Sequence, residues 1–319
     1  MMPNRLVIVL CLALLYIAVP FFFSSNLYLM SNVVASLIIG GIALSWALLG
    51  NLGGMVSFGH AAFVGVGAYT SALLVIKLKL SIFAALFLGG IGAAVASLLI
   101  VPALRLRGPY FALAILAYAH IFKIIANEWK GLTNGAAGLS SIPHFAPAFG
   151  IDFSSKVGAY FIVLSIVLVF AAIYYWIRQS HFGLALRAMH DSEEATRVVG
   201  VNSLFLKAMM LFLSAFMAGV MGAFNAHYIN FLDPDYAFST VWITLPIVAA
   251  IFGGYRTIIG PLLGAVAVYL IDQLVLKNIW PTAHQIVLGI LLGAMILFSP
   301  GGLTPLVVNA LKRRPHVKA

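Results

Sequence analysis

Ten apolar runs, most of them about the length needed to cross a bilayer, dominate this chain and leave little room for anything else. They lie at about 6–23, 31–50, 54–76, 81–103, 109–127, 157–177, 204–229, 240–254, 258–276 and 283–299. A helix needs about 20 apolar residues to span a hydrocarbon core. Of the 319 residues, 63% are hydrophobic and 8% charged, whereas a soluble domain carries about 25% charged residues. A soluble fold of this length has nowhere to place so much apolar side chain. A bilayer does, because its interior is itself apolar. The expected fold is all-α: a polytopic transmembrane helical bundle of about 10 spans, forming a single transmembrane domain over 1–319. The third run is rich in glycine, so it reads as broken or re-entrant, and the eighth is short.

Orientation follows from charge. Placing the N-terminus on the cytoplasmic side puts Arg5, Arg105, Arg107, Arg178, Arg187, Arg197, Arg256, Arg313 and Arg314 all on that side. Basic residues accumulate there in membrane proteins, so both termini are expected to be cytoplasmic. Lys207, Lys312 and Lys318 agree, while Lys77, Lys79, Lys130, Lys156 and Lys277 fall outside. The net charge of +10 is therefore read as membrane topology and not as a sign of nucleic acid, with Lys312-Arg313-Arg314 in the basic tail 305–319 read first as a cytoplasmic stop and second as a contact for anionic lipid. The first run follows Arg5 and is longer than a usual signal-peptide core, so it reads as a retained helix. The single cysteine, Cys11, lies in that run and excludes an intrachain disulfide.

Two polar stretches interrupt the spans. Residues 128–156 form an extracytoplasmic loop by this count. Residues 178–203 lie on the cytoplasmic side and read as an amphipathic helix that does not cross, with Asp191 or Ser192 as N-cap and Gly200 and Asn202 marking its end. Such a helix, carrying Asp191, Glu193 and Glu194, suits docking to a soluble partner. The alternative is a helix lying on the membrane surface, where an anionic leaflet disfavours the acidic residues.

The segment from Gly50 to Tyr69 is the most unusual. Its glycines weaken a helix, and irregular backbone is tolerated in a bilayer only against protein or a water-filled cavity. It is either a broken segment lining a permeation path or a site of close helix packing through small residues. His60 is either a lining group, a proton-handling group or a hydrogen-bonded packing residue, the last being the default. His120, His227 and His284 lack metal-ligand spacing and are expected to be packing or interfacial residues. Lys123 and Asp272 lie near span ends and are expected to snorkel to the interface. No mid-membrane carboxylate is evident, which counts against a proton- or sodium-driven transporter or channel. No catalytic constellation, metal site or phosphate-binding loop stands out, which counts against a membrane-embedded enzyme and against ATP binding by this chain. No cofactor is expected.

The residues also resemble a known family. Leu104-Arg105-Leu106-Arg107-Gly108-Pro109-Tyr110-Phe111-Ala112 is similar to the LRLRGxYxA signature of LivM-type permeases, the membrane subunits of branched-chain amino-acid ABC importers. Ser57-Phe58-Gly59-His60-Ala61-Ala62-Phe63 with Gly65-Val66-Gly67-Ala68-Tyr69 resembles their SLGHAAFxGxGAY motif. Thr133-Asn134-Gly135-Ala136-Ala137-Gly138-Leu139 resembles TGGxxGL, with Asn134 in place of the first glycine. Phe182–Ala188, Asp191–Ala195, Gly253-Gly254, Gly260–Ala265 and Phe298–Leu303 continue the match, which covers about 31–305. Glu194-Ala195-Thr196 followed by Gly200 resembles the EAA–G loop by which importer permeases dock their ATPase.

The resemblance implies a permease domain over 1–319 in a bacterial inner membrane. It implies a second LivH-type permease subunit, two ABC ATPase subunits that hydrolyse the ATP, and an extracytoplasmic substrate-binding protein. Arg187, Asp191, Glu193, Glu194, Ala195 and Gly200 would then couple the ATPase. Gly53, Gly54, Ser57, Gly59, His60, Gly253 and Gly254 would border the translocation path. The implied substrate is leucine, isoleucine or valine, with urea, short amides and other amino acids served by close relatives.

Overall fold

The computed structural model describes residues 18–20, 26–106, 108–147, 152–281, 283–298 and 301–303. The helices are α1 (Leu27–Gly53), α2 (His60–Leu78), α3 (Ile82–Ser97, continued by a 3-10 stretch Leu98–Arg105), α4 (Pro109–Glu128) and α5 (Lys156–Gln179). They continue with α6 (His181–Asp191), α7 (Glu193–Val198), α8 (Ser203–Ile229), α9 (Val241–Gly253), α10 (Gly260–Ile271) and α11 (His284–Phe298). Among the described residues, 8 helical segments are long and apolar enough to cross a membrane: α1 to α5, α8, α9 with its preceding turn, and α10 with its continuation to Ile279. The first of the ten apolar runs lies outside the described residues except for 18–20, as do Cys11, Arg107 and the basic tail. The tenth run forms α11, 15 residues long, short of a full crossing. The third run is interrupted only before His60, beyond which α2 is a continuous helix of 19 residues.

Local chemistry sets the helix ends. Asn26 opens α1 by accepting from the backbone N–H of Tyr28 and Leu29 at 3.1 Å, and Gly54 closes it at φ 64°. Ser155 caps α5 through Gly158 N–H at 3.0 Å. Asn202 caps α8 through Phe205 N–H at 3.0 Å. Asn202 thus starts the following span and does not end the amphipathic stretch, which Gly200 leaves at φ 85°.

Helix α1 is the axis of the bundle, buried along most of its length and packed on α5, α8, α9 and α10. Helices α2, α3 and α8 form a second layer in which backbones touch directly: a Cβ on Gly67 would collide with the Gly219 backbone, and one on Gly222 with Val64. Small residues permit this approach, which replaces hydrophobic driving force as the source of cohesion inside lipid. Large apolar side chains such as Tyr110, Trp176, Leu297 and Phe298 stand exposed, as a bilayer-facing surface requires. The connection after α4 meets the connection between α8 and α9. Residues Leu139–Ser140 (β1) pair antiparallel with Phe231–Leu232 (β2), and Lys123 bridges Asp235 at 2.7 Å.

Candidate functional site: two opposed cavities and a docking module

At one end of the bundle, α1 unwinds and six residues pass before α2 begins. In this break side chains alternate: Met55, Ser57 and Gly59 turn inward, while Gly54, Val56 and Phe58 face outward. The inward set is held by a closed polar chain. Ser214 Oγ donates to Ser45 O at 2.9 Å, so it accepts from His60 Nε2 at 3.1 Å. His60 therefore carries its proton on Nε2, and Nδ1 accepts from Ser57 Oγ at 3.1 Å. Ser57 Oγ in turn accepts Gly59 N–H at 3.2 Å, and Ser57 O accepts Trp46 Nε1–H at 2.8 Å. The side-chain polar atoms of Ser57, His60 and Ser214 all have partners. His60 is 1% exposed and is the hydrogen-bonded packing residue of the default reading. His227 is held the same way, by Pro143 O and Ser71 Oγ, each at 2.9 Å.

The outward set opens, together with Met55, into a cavity of about 730 Å³ bordered also by Gly53, Leu104, Leu106, Met189, His190, Ser192, Glu193, Glu194 and Lys207. A second cavity, of about 650 Å³, lies toward the opposite end between α1, α8, α9, α10 and α11. Phe58 lines both. Ser57, Gly59 and His60 are buried behind the break and line neither. Gly253 and Gly254 line neither as well: Gly254 ends α9 at φ 103° and the hairpin to α10 closes by backbone contact of Gly253 with Gly260.

Residues 178–203 form two short helices, α6 and α7, where one was expected. Ser180 caps α6 and Ser192, accepting from Ala195 N–H at 3.3 Å, caps α7. Arg187 is clamped to the first turn of its own helix through Gly183 O at 3.3 Å and to the last turn of α5 through Arg178 O at 2.8 Å. Glu193 binds Arg197 at 2.6 Å and Lys207 of α8 at 2.7 Å. Partial burial pushes the Glu193 carboxyl up, but hydrogen bonds from Lys207 and Ser203 and the nearby cations outweigh it and hold the group below its ordinary value. Asp191, Glu194 and Ala195 are exposed, and Val198 and Val199 are 87% and 76% exposed at the tip before Gly200. The module also leans on the break, since a Cβ on Gly54 would sit 2.6 Å from His190 Nδ1.

One group departs from expectation. Asp272 does not snorkel: it is 2% exposed, and its Oδ1 has no hydrogen-bond partner. Proximity to a span end hid this, because the sequence does not reveal that α10 passes through a π turn there. Among the described residues, no three histidine, cysteine or acidic side chains converge as a metal would require.

Fold and site together define a class: a multi-pass helical membrane protein with a cavity toward each end and a pair of short amphipathic helices between spans. Residues 28–299 match the family described as branched-chain amino acid transport system / permease component, and the chain belongs to that family. It is 28% identical to the high-affinity branched-chain amino acid transport system permease protein LivM of Salmonella typhimurium, over 94% of this chain and 76% of that protein. It is 23% identical to LivH of Escherichia coli, over 82% of this chain and 89% of that protein, and 21% identical to a probable LivM of Methanocaldococcus jannaschii, over 86% and 84%. No solved structure gives a significant match.

Proposed function

We propose that this chain is one of two permease subunits of an ATP-driven importer that carries branched-chain amino acids inward across a bacterial inner membrane. A LivH-type permease lies beside it, two ABC ATPases dock on α6 and α7, and an external binding protein delivers substrate. The observation that carries this reading is the contact of the docking module with the helix break. Exposed Val198 and Val199 offer an apolar tip for a partner's groove, and His190 transmits its movement to Gly54. Lys207 and Ser214 on α8 tie Glu193 and His60 to one rigid element, so docking and break move together.

In this account the path runs along the outward face of the break. Gly53, Gly54, Val56 and Phe58 border it, and Ser57, Gly59 and His60 fix its shape. Phe58, which lines both cavities, separates them in the state seen here. Alternating access then opens one cavity as the other closes.

A second reading, a stand-alone ion-coupled transporter, is favoured by one observation, the buried unpartnered carboxylate of Asp272. Uptake by proteoliposomes containing the assembled subunits separates the two. The importer reading expects leucine uptake that needs ATP and the binding protein and ignores proton and sodium ionophores. Uptake by this chain alone, abolished by an ionophore, would replace it.

A further inference from the structure

The cavity toward the opposite end from the docking module has a built polar wall that the path described above does not use. Its apolar side is supplied by Ile38, Ile39, Leu245, Val248 and Leu288. Its polar side holds two atoms without partners, Asp272 Oδ1 and the Tyr228 hydroxyl. A buried carboxylate oxygen left unpaired costs free energy, so it persists only where something else satisfies it.

The helix is deformed to put it there. Asp272–Leu276 form a π turn in which Lys277 N–H donates to Asp272 O. On a straight α-helix, residues five apart point about 140° away from each other, at about 100° per residue. The wider π turn brings Asp272 and Lys277 onto the same cavity wall, and such bulges recur at functional sites. His284 completes the wall. Its Nδ1 donates to Pro281 O at 2.9 Å, which leaves Nε2 as its remaining polar atom. One carboxylate and two basic groups therefore border a space of about 650 Å³ whose other walls mix aliphatic side chains with uncharged polar ones such as Asn225, Thr244 and Gln273, within the range of about 300–1,000 Å³ typical of small-molecule sites.

Resting on the importer reading, we propose that this cavity is a transient substrate site for an apolar α-amino acid zwitterion, with Asp272 accepting the substrate ammonium, Lys277 and His284 facing its carboxylate, and the aliphatic wall taking its side chain. This assigns the permease its own check on substrate, beyond whatever the binding protein selects. It also accounts for a carboxylate kept inside a membrane protein whose energy comes from elsewhere.

The test uses the assembled transporter in nanodiscs, with the sole natural cysteine removed by Cys11→Ser and a reporter placed on the cavity wall by Thr244→Cys. The readout is the rate of maleimide labelling. Millimolar leucine should slow labelling, and 4-methylpentanoate, which is leucine without its amino group, should not. Adding Asp272→Asn should weaken the leucine effect about tenfold or more, the weight of a hydrogen bond to a charged group, and Asp272→Glu should restore part of it. Equal protection with and without Asp272→Asn would overturn the assignment. So would an absence of leucine protection in a preparation that imports leucine, a comparison that needs no change at Asp272 and so survives a variant that fails to assemble. A preparation with intact Asp272 that imports no leucine at all would instead overturn the importer reading, and this inference with it.

Discussion

The chain breaks two helices with the same device and then uses the breaks differently. Gly53-Gly54 ends α1 and Gly253-Gly254 ends α9, the second glycine of each pair is left-handed, and the next helix begins six residues later, at His60 or Gly260. In the first break Ser57 and Gly59 join a buried polar chain, while Gly54, Met55, Val56 and Phe58 line a cavity. In the second, the Thr257 hydroxyl donates to Gly254 O and accepts Gly260 N–H, both at 3.0 Å, and the turn closes on itself. The backbone signal is common to both. What differs is the partner: Ser214 reaches across from α8 to hold the first break open, whereas Gly260 and Gly264 let the second collapse onto α9. A pair of glycines thus specifies an interruption, and the side chains opposite decide whether it becomes a wall or a hairpin.

The largest effect should come from filling the first break. A Cβ on Gly59 would sit 2.5 Å from the Ile115 carbonyl, a backbone atom that cannot step aside. Gly59→Leu is expected to abolish leucine uptake, and normal uptake at normal expression would show that this segment neither borders nor shapes the path. Next is the polar chain. His60→Ala takes one of two hydrogen-bond partners from each of Ser57 and Ser214, which keep Gly59 N–H and Ser45 O, a cost of about 1–3 kcal/mol. It should lower the melting temperature of the purified complex, and combining it with Ser214→Ala should cost less than the sum of the two. Additive losses would mean the chain is not a unit. Thr257→Ala in the second break removes only local bonds near the surface. It should cost about 0.5–1.5 kcal/mol and leave the apparent affinity for leucine unchanged, since that hairpin borders neither cavity.

The smallest effect concerns acid. Because the folded Glu193 carboxyl titrates below its ordinary value of 4.5, its anchoring is complete above that value and is lost as pH falls through the lower folded one. Amide exchange across 54–59 should then rise, through His190, while exchange across 254–259 stays constant. A parallel rise in both would show that the docking module is not mechanically tied to the first break alone.

Much of this was legible in the sequence, because length and apolarity suffice to place spans. Asn134, standing where the resembled motif has glycine, is a good example: it adopts φ 64°, a left-handed conformation that asparagine tolerates better than most residues. The helix start at Ser192 could also be located, since Ser192 and the acids after it form a recognisable N-cap and first turn. The division of 178–203 into two helices was not legible, because the break is a cap on a cap, with Ser192 ending α6 and starting α7. The role of His60 depended on Ser214, which lies 154 residues away, and no local pattern points to that pairing. Asp272 was misplaced for a similar reason. Its burial follows from a π turn and from the packing of α11, neither of which leaves a periodic mark.

The central claim is that α6 and α7 dock an ABC ATPase and pass its movement to the first break. Affinity purification of the tagged chain from its native membrane tests it directly, with identification of what co-purifies. The account predicts an ATPase subunit in the wild-type preparation and its loss when Glu194→Ala and Gly200→Val are combined, the folded permease pair remaining. An ATPase retained by that double variant, or a chain that purifies alone under conditions that keep membrane complexes intact, would contradict it.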